Sequence, residues 1–428
     1  MKKIFLIGFF FILPWMARAA DFEEVEWKGV AYVTLDSFCK YFQLTAQDEA
    51  EKKSLRFKGS LGTVAFGVHS RECRINEILY WMTLPLICRD DGKYLISQMD
   101  LKKLLLPVLK PESIVPKKPA LGVIIDAGHG GSNDGARARN GLLEKNLNLD
   151  TARLLREILR KEGIPCVMTR DSDKYLSLEA RARFTERYPA YVFVSIHYNE
   201  GRRTSRGIET YCLSPHKAAS TGDSKLGLTK KSRVEKGNKH DEANTLLAAL
   251  IHQQVTQLHP DEGDRGLKRA RFVVLRQSRT PAVLVEGGFL SSSEDIAIIK
   301  TQEYRQFLAE KIAAGLKKYM EIMNEHPEEP VISPKSPTEE EKEFLSPAVQ
   351  LREADNTKSD LEVEVRPPDE TDKVSDPEDG RETSQDVSTE LTTEEQIIKR
   401  EMEIILKQEE ALSPTPKEST PQEKPLEK

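Results

Sequence analysis

His129 stands in Ile125-Asp-Ala-Gly-His-Gly-Gly131, where an apolar run ends in a glycine-rich turn. Glycine lacks a Cβ, so the chain can turn tightly there and bring an imidazole into a cleft. His197 directly follows a second apolar run, 191–196, and Glu144 lies between the two histidines in Leu143-Glu-Lys-Asn-Leu147, just ahead of a helical pattern. Both histidines therefore stand at the C-terminal ends of predicted strands, the edge at which α/β sheets assemble their sites. Two imidazoles, one carboxylate and an open fourth position are the donor set of a catalytic zinc centre. Each residue also has a plain structural reading: hydrogen-bonded core histidines, and an acid favoured by a helix dipole. Spacing by itself leaves both readings open. Glu286 emerges from a further apolar run in Val283-Leu-Val-Glu-Gly-Gly-Phe289. Beside a metal, such a carboxylate suits general-base work on a water that attacks a carbonyl; the structural alternative is an ion pair with Arg276 or Arg279. The turn around His129 matches neither GxGxxG nor GxxxxGK[ST], so a phosphate cradle is not supported.

The elements that must position these residues are legible as periodicity. Apolar runs at 122–125, 165–168, 191–196, 207–212, 272–275 and 282–285 read as strands. Leu147, Leu154, Leu155, Ile158 and Leu159 recur at helical spacing, and further helical patterns cover about 178–187, 243–258 and 304–320. Strand alternating with helix predicts an α/β domain over 121–323, with a mostly parallel or mixed central sheet flanked by helices. Before it, 21–110 reads as a small β-rich accessory domain with strands such as Val30-Ala-Tyr-Val-Thr34, resembling the N-terminal module of copper amine oxidases. A proline- and lysine-bearing linker, 111–120, joins the two. After about residue 324, Pro, Glu, Lys, Thr and Ser dominate, which predicts a disordered tail. Within it Ile398, Met402 and Ile405 fall at helical spacing, so a short helix over 394–411 is expected.

The stretches around the four residues recur with others in a fixed order: Ile125-Asp-Ala-Gly-His-Gly-Gly131, Glu144-Lys-Asn-Leu-Asn148, Thr169-Arg-Asp171, Ser195-Ile-His-Tyr-Asn199, Gly207-Ile-Glu-Thr-Tyr211, Asp264-Arg-Gly-Leu-Lys268 and Pro281-Ala-Val-Leu-Val-Glu286. In these, residues 121–320 resemble the zinc N-acetylmuramoyl-L-alanine amidases of bacterial cell-wall turnover. The resemblance implies Zn2+ held by His129, Glu144 and His197, with Glu286 as the catalytic glutamate. It implies peptidoglycan as substrate, cut between N-acetylmuramic acid and the L-alanine of the stem peptide. Two alternatives share the residues: a zinc peptidase cutting within the stem peptide, and a non-catalytic peptidoglycan-binding envelope protein. The chain departs from the family pattern at Ser132-Asn-Asp-Gly135, where a proline usually precedes the last glycine, and at Ser291-Ser-Ser293. Tyr198 and Glu200 flank Asn199 where small residues are usual, and Gly287 follows Glu286 where Thr is frequent. Tyr198 and Glu200 are expected to shape the groove for the stem peptide. Some division amidases insert an autoinhibitory helix; the polar, lysine-rich segment 216–239 reads instead as a flexible surface loop.

Bulk properties agree with an exported protein. Lys2 and Lys3, an apolar run from Ile4 to Met16 and Ala17-Arg18-Ala19 read as a signal peptide over 1–19, which predicts a periplasmic chain with no membrane span after cleavage. A net charge of −5 makes no case for nucleic acid. Export makes disulfides feasible; of the five cysteines a Cys73–Cys88 bridge is conceivable, with buried free thiols the equal alternative. A partner in the envelope or the division machinery would bind through the N-terminal domain or the tail.

Overall fold

The computed structural model describes residues 22–47, 54–114, 118–223, 227–228, 233–258 and 263–325. The predicted signal peptide and the helix at 394–411 lie outside the described residues, as does the predicted tail beyond Glu325.

The amino-terminal segment is built of strands: β1 (Glu24–Trp27), β2 (Val30–Thr34), β3 (Thr45–Gln47), β4 (Ser54–Gly59), β5 (Gly62–Gly67), β6 (Glu72–Ile75), β7 (Ile78–Trp81), β8 (Ile87–Cys88) and β9 (Tyr94–Ser97). Helix α1 (Leu35–Phe42) follows β2 because the Thr34 hydroxyl accepts from the Ser37 N–H at 3.3 Å and caps it. Its buried face carries Phe38, which meets Phe66 of β5 edge to face at 5.8 Å. Strands β3 to β7 form an antiparallel meander, while β1, β2, β9 and β8 make a separate four-stranded sheet.

From residue 122 the chain alternates strand and helix. β10 (Gly122–Ala127) lies between β11 (Cys166–Met168) and β12 (Tyr191–Asn199), and β15 (Ala282–Phe289) follows β12; all three pairings are parallel. β13 (Ile208–Leu213) runs antiparallel to β15, and β14 (Asp264–Ala270) parallel to β13. Because successive side chains alternate between faces, Val123, Ile125, Val192, Val194, Val283 and Val285 join one core, packed beneath α2 (Glu144–Lys161), α4 (Asp241–Val255) and α5 (Gln302–Asn324). Ile124, Phe193, Leu284 and Tyr211 join a second core on the other face, under α3 (Leu178–Arg187).

One predicted strand is a helix. Val273–Arg276 makes a helical turn, with the Arg276 N–H donating to the Phe272 carbonyl at 2.9 Å. Four apolar residues do not specify a period; Val274 and Leu275 are buried in the second core either way. The strand of this region is β14, just upstream.

The sheet does not stop at the end of the α/β segment. β7 pairs in parallel with β14, Leu267 opposite Tyr80, so the meander and the α/β strands form one eleven-stranded sheet among the described residues. No described helix is long and apolar enough to cross a membrane.

Candidate metal centre

The turn after β10 is held from below by two buried arginines. Arg170 donates from Nε to the Ala127 carbonyl (2.8 Å) and from Nη2 to the carbonyls of Gly128 (2.8 Å) and Lys145 (2.9 Å). Arg181 donates to the Ala127 and His129 carbonyls, both at 2.6 Å, and pairs with Asp126 at 2.8 Å. Asp126 also accepts from the hydroxyls of Thr169 and Ser195. This bracing fixes a backbone that is strained: His129 has φ +58°, a left-handed conformation uncommon outside glycine. Two neighbours are glycine for reasons of space. A Cβ at Gly128 would fall 2.2 Å from the His197 ring, and one at Gly135 would fall 2.4 Å from Glu144 Oε2 and 2.7 Å from His129 Cδ2.

Glu144 is the first residue of α2 and reaches both imidazoles. Its Oε2 lies 3.1 Å from His129 Nε2 and its Oε1 lies 2.9 Å from His197 Nδ1. The backbone N–H groups of Ala136 (2.8 Å) and Tyr198 (3.2 Å) and the Asn148 amide (3.2 Å) also donate to this carboxylate. One ligand atom from each of the three residues lies within 4.8 Å of the others. The remaining His129 nitrogen, Nδ1, faces Asn133 Oδ1 at 2.9 Å. Burial disfavours the Glu144 carboxylate, but the two imidazoles outweigh it and hold the group well below its usual range. Burial lowers His129 too, and the Glu144 charge and hydrogen bonds more than offset this, leaving it raised; for His197 burial prevails and the imidazole is lowered.

Glu286 sits one strand away, directly opposite His197 in the β12–β15 ladder and opposite Glu209 in the β13–β15 ladder. The three residues therefore form a row across one face of the sheet. Glu286 Oε2 is buried with no hydrogen-bond partner. Arg279, one of its possible ion-pair partners on sequence grounds, is bound to Glu186 at 2.7 Å instead. Burial, then the charges of Glu144 and Glu209, push the Glu286 carboxyl well above its usual range, against a lowering by Lys268. Glu209 behaves oppositely. It is almost fully buried, and it accepts from Lys268 Nζ (2.6 Å), Arg265 Nε (2.7 Å), Tyr211 OH (2.5 Å) and Asn199 Nδ2 (3.0 Å).

His129, Glu144 and His197 thus come together, and Glu286 stands opposite His197 on the adjacent strand. Residues that sequence reasoning gave no role are Asn133, Arg170, Arg181, Glu209, Arg265 and Lys268. Their only signal is membership of matching stretches for Arg170, Glu209, Arg265 and Lys268, and of a departing stretch for Asn133. Two expectations are corrected, the groove role of Tyr198 and the free loop at 216–239, while Glu200 keeps an exposed place within the field of Glu144. Tyr198 does not shape a groove: His197 faces the site, so Tyr198 points to the other face of the sheet, 1% exposed, with its hydroxyl 2.8 Å from Thr151 Oγ1. Glu200 is exposed, and the burial it has, with the charge of Glu144, raises its carboxyl. The described parts of 216–239 hold no α-helix, but they are not a free loop: Ala218 and Ala219 are buried, and Arg271 donates to the carbonyls of Pro215 (3.1 Å) and Ala218 (2.6 Å). Residues 224–226 and 229–232 lie outside the described residues.

Fold and cluster together define a class, the α/β enzymes that gather a candidate metal set at the carboxyl edge of a mixed sheet. Within that class the profile of one family, described as N-acetylmuramoyl-L-alanine amidase, matches residues 123–318. The chain is 34% identical over 197 residues to the uncharacterized protein YqiI of Bacillus subtilis (strain 168), covering 46% of this chain and 84% of that protein. It is 38% identical to the sporulation-specific N-acetylmuramoyl-L-alanine amidase of the same organism, over 45% of this chain and 66% of the relative. Over 222 residues it is 30% identical to the amidase AmiA of Escherichia coli (strain K12), covering 46% of this chain and 75% of AmiA. Among solved structures, amidase AmiC2 of Nostoc punctiforme aligns at 33% identity over 47% of this chain and 97% of its own, with a TM-score of 0.39. The chain belongs to the N-acetylmuramoyl-L-alanine amidase family.

Proposed function

We propose that this protein is an exported peptidoglycan hydrolase that cuts the amide between N-acetylmuramic acid and the L-alanine of the stem peptide, with zinc held by His129, Glu144 and His197 and with Glu286 as general base. The observation that carries the reading is the unpartnered Glu286 Oε2, buried one strand from His197. A purely structural glutamate at this depth would be paired, because a buried polar atom without a partner costs about 1–3 kcal/mol. A general base must keep a lone pair open for the proton it takes.

The donor set fits zinc: two imidazoles and one carboxylate from three separate elements converge on one point, and three protein ligands leave a position for water or substrate. When bound, a zinc ion supplies Lewis acidity to the scissile carbonyl and lowers the pKa of water to about 7. Asn133 fixes the His129 ring, and the backbone donors of Ala136 and Tyr198 fix the Glu144 carboxylate. Glu286 takes the proton of the attacking water as the new C–O bond forms. It delivers that proton to the alanine nitrogen as the C–N bond breaks, and the second water proton passes from the new acid to the amine, leaving a lactyl carboxylate and an alanine ammonium group. The signal peptide expected at 1–19 and the N-acetylmuramoyl-L-alanine amidase activity in the names of the relatives support a periplasmic location.

Digestion of purified sacculi with the zinc-loaded protein tests the reading. Mass spectrometry is expected to find stem peptides released with free L-alanine amino termini. Glu286→Gln is expected to retain metal and lose this release. Fragments cut inside the stem peptide would assign a peptidase, and an intact sacculus would reject hydrolysis.

A further inference from the structure

We propose that Trp81, in the amino-terminal segment, is a positioning residue of the hydrolytic site, so that this segment is part of the catalytic framework and not a separable targeting unit. The inference rests on the amidase reading of Glu286. It starts from the seam between β7 and β14. The Trp81 indole N–H donates to the Arg265 carbonyl at 3.0 Å. Its ring lies against Gly266, where a Cβ would come within 2.7 Å of Trp81 Cδ1 and Nε1. Gly266 has φ +91°, which glycine tolerates and other residues avoid. The Leu79 N–H donates to Asp264 Oδ2 at 2.7 Å, and Asp264 Oδ1 accepts from the Gly266 N–H at 2.8 Å. Residues 264–266 are therefore clamped from the amino-terminal side.

The same stretch of β14 reaches the site on its other side. Arg265 and Lys268 both hold Glu209, at 2.7 and 2.6 Å, and Glu209 stands opposite Glu286 across β13 and β15. The Arg265 guanidinium also lies over the Phe289 ring, 4.8 Å from its centroid, and Phe289 ends the strand that carries Glu286. The place of two cations and one carboxylate beside Glu286 thus depends on where β14 runs. Without β7, β14 would be an edge strand with open backbone groups. A displacement of about 1 Å at a reacting centre can cost on the order of 100-fold in rate.

The test compares the full-length, zinc-loaded protein with Trp81→Phe, which keeps a ring but deletes the donor, with Trp81→Ala, and with Phe38→Leu, a core change in the same segment away from β14. For Trp81→Phe, kcat on sacculi is expected to fall about 3–10-fold, and for Trp81→Ala about 10–100-fold, with KM within about twofold and zinc content unchanged. Phe38→Leu is expected to lower the melting temperature without lowering kcat. Parent kcat in both Trp81 variants would overturn the proposal, as would an equal loss in Phe38→Leu at matched melting temperature. Hydrogen exchange of the Arg265 Nε–H, read by NMR, needs no turnover. Faster exchange in Trp81→Phe upholds the hold of Trp81 on Arg265 and Glu209 even if the parent cuts no sacculus, in which case the amidase reading alone falls; unchanged exchange overturns the proposal.

Discussion

Tyr198 and Gly287 share one space across the β12–β15 pair, on the sheet face opposite His197 and Glu286. A Cβ at position 287 would lie 3.1 Å from Tyr198 Cε1 and 2.4 Å from Leu308 Cδ2. The chain carries a large residue where the family usually has a small one and a glycine where it often has Thr, so the two departures are one exchange of volume. Gly287→Thr is expected to destabilise by about 1–3 kcal/mol through overpacking. Tyr198→Ala is expected to cost about 3–5 kcal/mol as a cavity. In the double variant the cavity receives part of the threonine, so urea unfolding is expected to show a coupling of about 1 kcal/mol. Strict additivity would mean that the two positions are independent.

Asn133 is expected to tune the metal. Its side chain faces His129 Nδ1 at 2.9 Å and also accepts from the Gly135 N–H at 3.1 Å, so it sets both ring and turn. Removing such a partner commonly costs about 10–100-fold in metal affinity. Asn133→Ala should weaken zinc binding by that factor in a competition titration against a chelator. Parent affinity would mean that the turn alone orients the imidazole.

The four candidate site residues are legible because each ends or follows a short apolar run or opens a helical pattern, and such boundaries are local properties. Their supports are not. Arg170 and Arg181 bind mainly backbone carbonyls, which have no residue type to read. Glu209 meets Arg265 and Lys268, 56 and 59 positions further along the chain, and no periodicity records such a pairing. The β7–β14 ladder joins segments nearly 190 residues apart through a single Cα pair, Leu267 with Tyr80; a parallel pairing leaves no hairpin signal between its strands. The groove role expected of Tyr198 fails for a simpler reason: it follows His197 directly in a strand, and alternation sends adjacent side chains to opposite faces. The apolar run 272–275 is too short to separate strand from helical turn.

The cysteines give a compartment-independent test. All five are free thiols, with Cys73 and Cys212 buried. Burial pushes the Cys73 thiol up, and burial with the Asp36 charge pushes Cys39 up to about 12. Thiolates are the reactive form. A colorimetric thiol reagent should therefore count five groups in denaturant without reductant and leave Cys73 and Cys212 unreacted in the folded protein. A count of three in denaturant would indicate one bridge, with Cys73–Cys88 the first pair to examine by peptide mapping.

Glu209 should make the fold sensitive to acid. Burial alone would raise its carboxyl, but the charges of Lys268 and Arg265, with hydrogen bonds from Lys268 and Tyr211, hold it at about 2. An unfolded glutamate titrates near about 4.3. The folded value is the lower one, so the unfolded state binds the proton more readily as pH falls. The stabilisation is complete above about pH 4.3 and is lost as pH drops through about 2. A gap of that size between the folded and unfolded carboxyl corresponds to on the order of 3 kcal/mol. Urea unfolding of the parent is therefore expected to weaken steeply between about pH 5 and pH 2.5. Glu209→Gln, which leaves Arg265 and Lys268 without their carboxylate, should be less stable at pH 7 and lose less over the same interval, so that the two curves converge in acid. Parallel curves would show that Glu209 does not carry the acid response.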